Sequence, residues 1–293
     1  MGTLRISQSA GLHEWVAEQK GYFKDEGLDY EFIRNQTNLN RTAVESIDHA
    51  LPQIKSGAFE SIEAGRTSDV SFACHWAVNM AASGQKGQMW GHAYMLTNAG
   101  IMVAPESPIR KPEDLRGIEI GVGYHSGSHF SCIQTLQPII GLEDLKLSFI
   151  GGPSGRLDLM VDRQIQAANM WGTQKDILDQ MGFRKIVDTT YMQGFLITGD
   201  IDVEDYKKYF RALQRAQRDV DAGSEKYREY FLTQVPEKYR DQVDVRAFSP
   251  GKRIVFEPYT KEVYDSTHQW MESINIFPEA QLGHADYENA ILV

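Results

Sequence analysis

Leu4-Arg5-Ile6-Ser7 alternates apolar and polar side chains, the two-residue period of a half-buried strand. Ser9-Ala10-Gly11 reads as a turn. Trp15, Val16, Gln19 and Phe23 then fall at helical spacing within His13 to Phe23, and Gly27 is a candidate C-cap beyond them. Tyr30 to Ile33 returns to a strand pattern, so the opening reads β–α–β, with parallel strands and a right-handed crossover. Asn35 to Arg41 is polar and turn-rich, and Thr42 to Ile62 has helical spacing broken by Pro52 and Gly57. Asp69 to Ala73 predicts a strand with Cys74-His75-Trp76 at its carboxyl end and a helix from Ala77 to Ala82. Met89 to His92 and Tyr94 to Val103 predict two strands, and Ser107 to Gly117 a loop with a short helical turn.

A second alternating set follows. Strands are predicted at Glu119 to Val122, Leu145 to Ile150, Gln166 to Met170 and Arg184 to Val187. Helices are predicted between them at Ser128 to Ile140, Ser154 to Arg163 and Thr173 to Met181. An apolar stretch from Tyr191 to Thr198 leads to a long amphipathic helix, Val203 to Phe231, whose charged positions from Lys207 to Arg228 read as a solvated face. Lys238 to Gln242 and Lys261 to Ile274 are helical, and Pro278 to Val293 is a last segment. This alternation predicts an α/β protein with mostly parallel sheets, and open sheets of that kind bind ligands at the carboxyl ends of their strands. Four segments fall at such ends: Ser9 to Glu14, Cys74-His75-Trp76, Tyr124 to His129, and Met170-Trp171.

The most telling of these is Gly121-Val122-Gly123-Tyr124-His125-Ser126-Gly127-Ser128-His129-Phe130, a strand that turns through Gly and Ser into a helix. The first N–H groups of such a helix point outward and carry the positive end of its dipole, so the turn is suited to a carboxylate, sulfonate or phosphate. The bland alternative is a helix N-cap made by Ser126 or Ser128 with nothing bound.

The 293 residues are 42% apolar and 24% charged, enough for a substantial core in one large domain or two lobes. A net charge of −10 argues against nucleic acid or an anionic membrane as partner, yet a local helix terminus can still oppose that sign for a small anion. No stretch approaches the ~20 apolar residues of a membrane span. No signal peptide is visible, so the expected location is cytoplasmic if Met1 is native, and periplasmic or extracellular if a leader has been trimmed away. Cys74 and Cys132 read as free thiols.

Further candidates have two readings each. Cys74 beside His75 is either an activated nucleophile or a small buried thiol next to a satisfied ring. His13 is either a ligand contact and general base or, with Glu14, part of an exposed first helical turn. Trp76 and Trp171 either cover an organic ligand or pack in the core. His125 and His129 are four apart, but Gly127 lies between them and no third ligand is near, so neither metal nor cofactor is expected.

The sequence Val16-Ala17-Glu18-Gln19-Lys20-Gly21-Tyr22-Phe23-Lys24-Asp25-Glu26-Gly27-Leu28-Asp29, the segment Ser107 to Gly117, Gly-Ser-His at 127 to 129, and Met170-Trp171 together resemble the type II periplasmic-binding-protein fold. Within it, the chain is similar to the sulfonate/nitrate/taurine-binding and thiamine-pyrimidine-synthase-like group. The resemblance implies two lobes, 1–98 plus 193–293 and 99–192, with a ligand in the hinge cleft. It implies contacts from Ser9, His13, His75, Trp76, Tyr124, His125, Ser126, Gly127, Ser128, His129 and Trp171 to a small anionic or aromatic-acid ligand. The function implied is that of an ABC-importer binding component, with a transporter permease as partner. The alternative is a cytoplasmic enzyme, desulfinase-, decarboxylase- or pyrimidine-synthase-like, using His75 and His13 and, for covalent chemistry, Cys74. The chain departs from the enzymes of the group: Met192-Gln193-Gly194-Phe195 lacks the cysteines of the pyrimidine synthases, and Ser9-Ala10-Gly11 stands where the desulfinases carry their nucleophilic cysteine. It also has a longer, more polar Ser46 to Arg66 segment than the group usually has.

Overall fold

The computed structural model describes residues 2–7, 11–33, 58–63, 65–200, 202–277 and 283–293. In chain order its strands are β1 (Leu4–Ser7), β2 (Tyr30–Ile33), β3 (Val70–Cys74), β4 (Gln88–Thr97), β5 (Ala99–Val103), β6 (Glu119–Val122), β7 (Lys146–Phe149), β8 (Ala167–Trp171), β9 (Arg184–Asp188), β10 (Tyr191–Ile197), β11 (Arg253–Val255) and β12 (Ile291–Leu292). The helices are α1 (Leu12–Gln19), α2 (Tyr22–Asp25), α3 (Ala58–Glu63), α4 (His75–Ser83), α5 (Gly127–Ile140), α6 (Pro153–Val161), α7 (Gly172–Gln180), α8 (Val203–Gly223), α9 (Glu229–Leu232), α10 (Lys261–Ser273) and α11 (Tyr287–Ala290).

The strands form two mixed sheets, one for each lobe. The first runs β11-β4-β10-β3-β1-β2, with β12 paired to β4, and the second runs β7-β6-β8-β5-β9. In each, a parallel group (β3, β1 and β2; β7, β6 and β8) is joined to strands that run antiparallel where the chain crosses between lobes. The crossings are short: Asn98 alone separates β4 from β5, and Thr189-Thr190 separate β9 from β10. They are also tied together, since Thr189 N–H donates to Ala99 O at 3.1 Å and Tyr191 pairs with Thr97. β1 meets β3 through the single pair Ile6 and Val70, and Asp69 reinforces it by accepting from Arg5 N–H at 2.8 Å and from the Arg5 guanidinium at 2.6 Å.

Several elements end differently from the sequence pattern. The first helix divides at Gly21, whose φ of 74° turns the chain into α2. β4 runs unbroken through Gly91 to Thr97 where two strands were expected. The long helix stops at Gly223, and the chain continues through a 3₁₀ turn into α9. The region Thr42 to Ile62 lies outside the described residues except for the part that forms α3.

Apolar faces of α1 and α8 cover one side of the first sheet, with Phe23, Phe195, Tyr209, Phe210 and Leu213 buried between them. α4 and α10 cover the other side. Two seams join the lobes on either side of the crossings. In one, Trp76 of α4 meets Phe130 of α5 and Tyr191 of β10 at ring separations of 5.7 and 5.9 Å. In the other, Tyr239, Val245 and Phe248 share a buried cluster with Leu157, Met160, Ile177 and Leu178 of α6 and α7. Polar bonds fasten this second seam: Ser249 Oγ donates to Asp176 at 2.9 Å, Asp244 N–H to Gln180 at 2.8 Å, and Tyr239 O–H to Asp158 at 2.8 Å.

Candidate functional site

The β6–α5 turn is built from its own hydroxyls. Gly123 N–H donates to Ser128 Oγ at 2.9 Å, Ser126 Oγ donates to Gly123 O at 2.7 Å, and the two hydroxyls lie 3.0 Å apart. Ser126 is the N-cap, yet its side chain caps no backbone N–H of the first turn of α5. The structure thus departs from the plain N-cap alternative: the hydroxyls shape the loop, and the helix end is left to its dipole and N–H groups. His125 holds a left-handed φ of 39°, which swings its carbonyl to accept Ala58 N–H at 3.1 Å. His125 N–H donates to His129 Nδ1 at 3.3 Å, so Nε2 carries the His129 proton. The two imidazoles lie nearly parallel, 5.9 Å apart, with Tyr124 stacked 3.8 Å from His125. Burial pushes His129 down to about 3, with His125 adding to the effect. His129 is therefore neutral near pH 7 and shapes the loop by accepting from His125 N–H.

This turn lies on the seam between the lobes. His125 contacts Phe277 at 4.4 Å between rings, and Tyr191 lies directly against Gly127. Asn169, fully buried on β8, fixes the helix start from below: its amide donates to Ser128 O at 2.8 Å and Ser131 Oγ at 3.0 Å, and it accepts from Thr189 Oγ1 at 2.8 Å. Behind Gly123 sits the buried guanidinium of Arg156, which donates to Gly151 O at 2.5 Å and would lie 3.3 Å from a Cβ on Gly123.

On the first lobe, Cys74 is the N-cap of α4, so that helix starts at His75, two residues earlier than its apolar spacing suggests. His75 and Trp76 thus lie on a helix and not on the strand. His75 Nδ1 lies 3.0 Å from Tyr259 O–H and 3.5 Å from Thr267 Oγ1, and burial drives the ring down to about 3. Trp76 packs tilted against His75 at 4.3 Å and reaches Phe130, so it links the β3 end to α5. His13 and Glu14 are buried against α8 and do not form an exposed first turn. Gln217 Oε1 accepts from Ile254 N–H at 2.7 Å and lies 2.7 Å from His13 Nε2, which therefore carries the proton. Glu14 accepts from Tyr209 O–H at 2.8 Å. Ser9 lies outside the described residues. Cys132 is buried in α5, and burial raises its thiol to about 12.

The structure brings cations to this region that the strand-end reading missed. Lys252 places its ammonium 4.2 Å from the Phe72 ring of β3 and 5.8 Å from the Trp171 ring of β8, so it spans the two strand ends. Arg66 reaches the Phe72 carbonyl, and Arg156 backs the Gly123 loop. For Arg156 there was a readable signal, because Gly151-Gly152-Pro153 marks a strand-to-helix turn like that before α5. Gln193 and Thr97 were also missed; both are buried on β10 and β4, and among the described residues Gln193 Oε1 and Thr97 Oγ1 have no hydrogen-bond partner. Among the described residues no group of three His, Cys, Asp or Glu side chains is placed to hold a metal ion, and no helix is long and apolar enough to cross a membrane.

Two lobes, two short crossings and strand ends facing across the seam define the architecture, and solved structures share it. The alkanesulfonate-binding protein SsuA from Xanthomonas axonopodis pv. citri bound to MOPS superposes with a TM-score of 0.70 at 12% identity, covering 100% of this chain and 98% of that one. The conserved Candida albicans CA3427 gene product, described as having the generic periplasmic binding protein structural fold, gives 0.64 at 11% identity over 100% and 96%. The chain has the type II periplasmic-binding-protein fold. The desulfurization enzyme DSZB is also similar, with a TM-score of 0.62 at 15% identity over 99% and 96% of the two chains, so the fold by itself does not separate binding from catalysis. No family model matches the sequence, and no curated protein matches it.

Proposed function

We propose that the protein binds a small organic anion between its lobes. The observation that carries this reading is the start of α5: a helix terminus on the interlobe seam, uncapped by its own N-cap side chain, with the buried Arg156 guanidinium behind its loop. Similarity to a sulfonate-binding protein, one of them holding MOPS, supports a sulfonate as the first class to test. The enzyme alternative has less behind it. His75 and His13 are both buried, His75 against Tyr259 and Thr267 and His13 against Gln217, and burial lowers His75 to about 3, which makes it a weak base near neutral pH.

The test is calorimetric titration with ethanesulfonate, benzenesulfonate and the uncharged benzenesulfonamide. Binding of either sulfonate with no turnover, and none of the sulfonamide, supports the reading; equal affinity for acid and amide, or no binding to any, overturns it. An importer role further requires export and an ABC permease as partner. Fractionation of the native host that found the protein only in the cytosol would remove that part.

A further inference from the structure

Arg66 precedes β3 and turns back along it. Its Nη1 donates to Phe72 O at 3.4 Å, a long contact, while Nε is buried with no acceptor among the described residues. Among the described residues no carboxylate pairs with this guanidinium. Burial pushes it down to about 10, opposed only by the nearby Cys74. A half-buried guanidinium whose Nε is shielded from water and has no acid beside it is costly, and folded proteins retain such a group where something else completes it.

The place it occupies is informative. β3 pairs with β1 at one position only, and Phe72 lies beyond it, toward the strand's carboxyl end. Arg66 therefore meets the Phe72 carbonyl toward the carboxyl end of β3, the end at which open α/β sheets bind their ligands. Lys252 approaches the same residue from another side, over the Phe72 ring, and reaches Trp171 of the second lobe. Burial lowers its ammonium to about 8, with Glu14 pulling the other way. Phe72 thus carries one cation on its carbonyl and one on its ring, at a point where the lobes meet.

We infer that Arg66 and Lys252 form a second anion-binding pole on the first lobe, opposite the α5 terminus and Arg156 on the second, so that the ligand is a small organic dianion held at both ends. The inference rests on the proposed binding function and names its substrate class. A sulfocarboxylate or a disulfonate fits the two poles, and Phe72 and Trp171 cover the carbon chain between them. Each charge-assisted contact that forms only with the second acidic group adds to affinity and to discrimination against monoanions.

The experiment compares 3-sulfopropanoate with 1-propanesulfonate by calorimetric titration, on the wild-type protein and on the Arg66→Gln, Arg66→Lys and Lys252→Gln variants. Far-UV circular dichroism verifies that each variant is folded. Wild-type protein is expected to bind the dianion at least tenfold more tightly than the monoanion. Arg66→Gln and Lys252→Gln should each erase most of that preference, and Arg66→Lys should retain part of it. If the wild type binds both compounds equally, the second pole is overturned while the binding function stands. If it binds neither, both fail. The comparison on the wild type decides the matter even if a variant does not fold.

Discussion

Tyr191 lies flat against Gly127, so close that a Cβ added to the glycine would come within 2.4 Å of the ring. One residue belongs to the strand that returns from the second lobe, and the other begins α5. Gly127→Ala should therefore cost about 1–3 kcal/mol of stability by overpacking, because neither backbone is free to retreat. In a Tyr191→Ala background the same substitution should cost much less. Urea unfolding of the four proteins in this cycle measures the coupling, and additive effects would mean that the two residues are not in contact.

Asn169 carries both a load and a placement role. Asn169→Ala would leave Ser128 O, Ser131 Oγ and Thr189 Oγ1 inside the protein without their partner. The expected loss is about 2–4 kcal/mol in chemical denaturation. Faster amide exchange at the first turn of α5 should accompany it, since the tie from β8 to that turn is gone.

Acid should weaken the fold in a way that can be apportioned. His75 and His129 stay neutral in the native state to about 3, whereas both accept a proton near their ordinary 6.5 once unfolded. The unfolded chain thus binds more protons below pH 6.5, and each ring removes about 1.4 kcal/mol of stability per pH unit on the way down. Asp176 has the opposite sign. Burial raises its carboxyl to about 6 from 3.8, so the native state takes up that proton first and regains about 1.4 kcal/mol per unit across this window. From pH 6 to 4 these groups together should remove about 1.4 kcal/mol per unit, and Asp176→Asn should double that slope. Urea midpoints at four pH values read it directly, and an unchanged slope in the variant would remove Asp176 from the account.

The second seam makes a separate prediction. Ser249→Ala and Gln180→Ala each remove a bond between the second lobe and the segment that crosses it. The double variant should show a larger radius of gyration by small-angle scattering without unfolding, because the apolar contacts of Tyr239, Val245 and Phe248, the Tyr239 bond and Lys238 ion pair to Asp158, and the Ser249 N–H bond to Asp176 then hold that side alone. A radius equal to that of the wild type would show that these remaining contacts suffice for closure.

The alternation of short apolar bursts with helical spacing was enough to place most strands and helices, because one face of each is buried and its period is therefore written into the chain. The Gly-Ser turn before α5 was legible for the same reason: glycine and hydroxyl residues at a strand-to-helix junction have few other uses. The cations were not legible. Arg66 sits in a polar stretch before β3, and Lys252 lies in the turn after Pro250-Gly251, about 180 residues from the Phe72 ring it covers. No local period records a contact of that separation. His75 shows the same limit at short range. Its neighbours read as the end of a strand, but Cys74 adopts an extended conformation that starts α4 immediately, and this turns the imidazole to Tyr259 in the core.

The order in which strands leave the ribosome differs sharply between the two sheets. All five strands of the second lobe are complete by Asp188, whereas β4 waits for β10, then β11, and finally for Ile291 to pair with Met89. The middle of the chain is thus expected to acquire order during synthesis while its flanks are still searching for distant partners. The faces of Trp76 and Phe130 that Trp270 and Phe277 cover would stay open until the C-terminal segment is made. A nascent chain stalled before α10 should accordingly be the species most in need of a chaperone, with that aromatic patch as its handle.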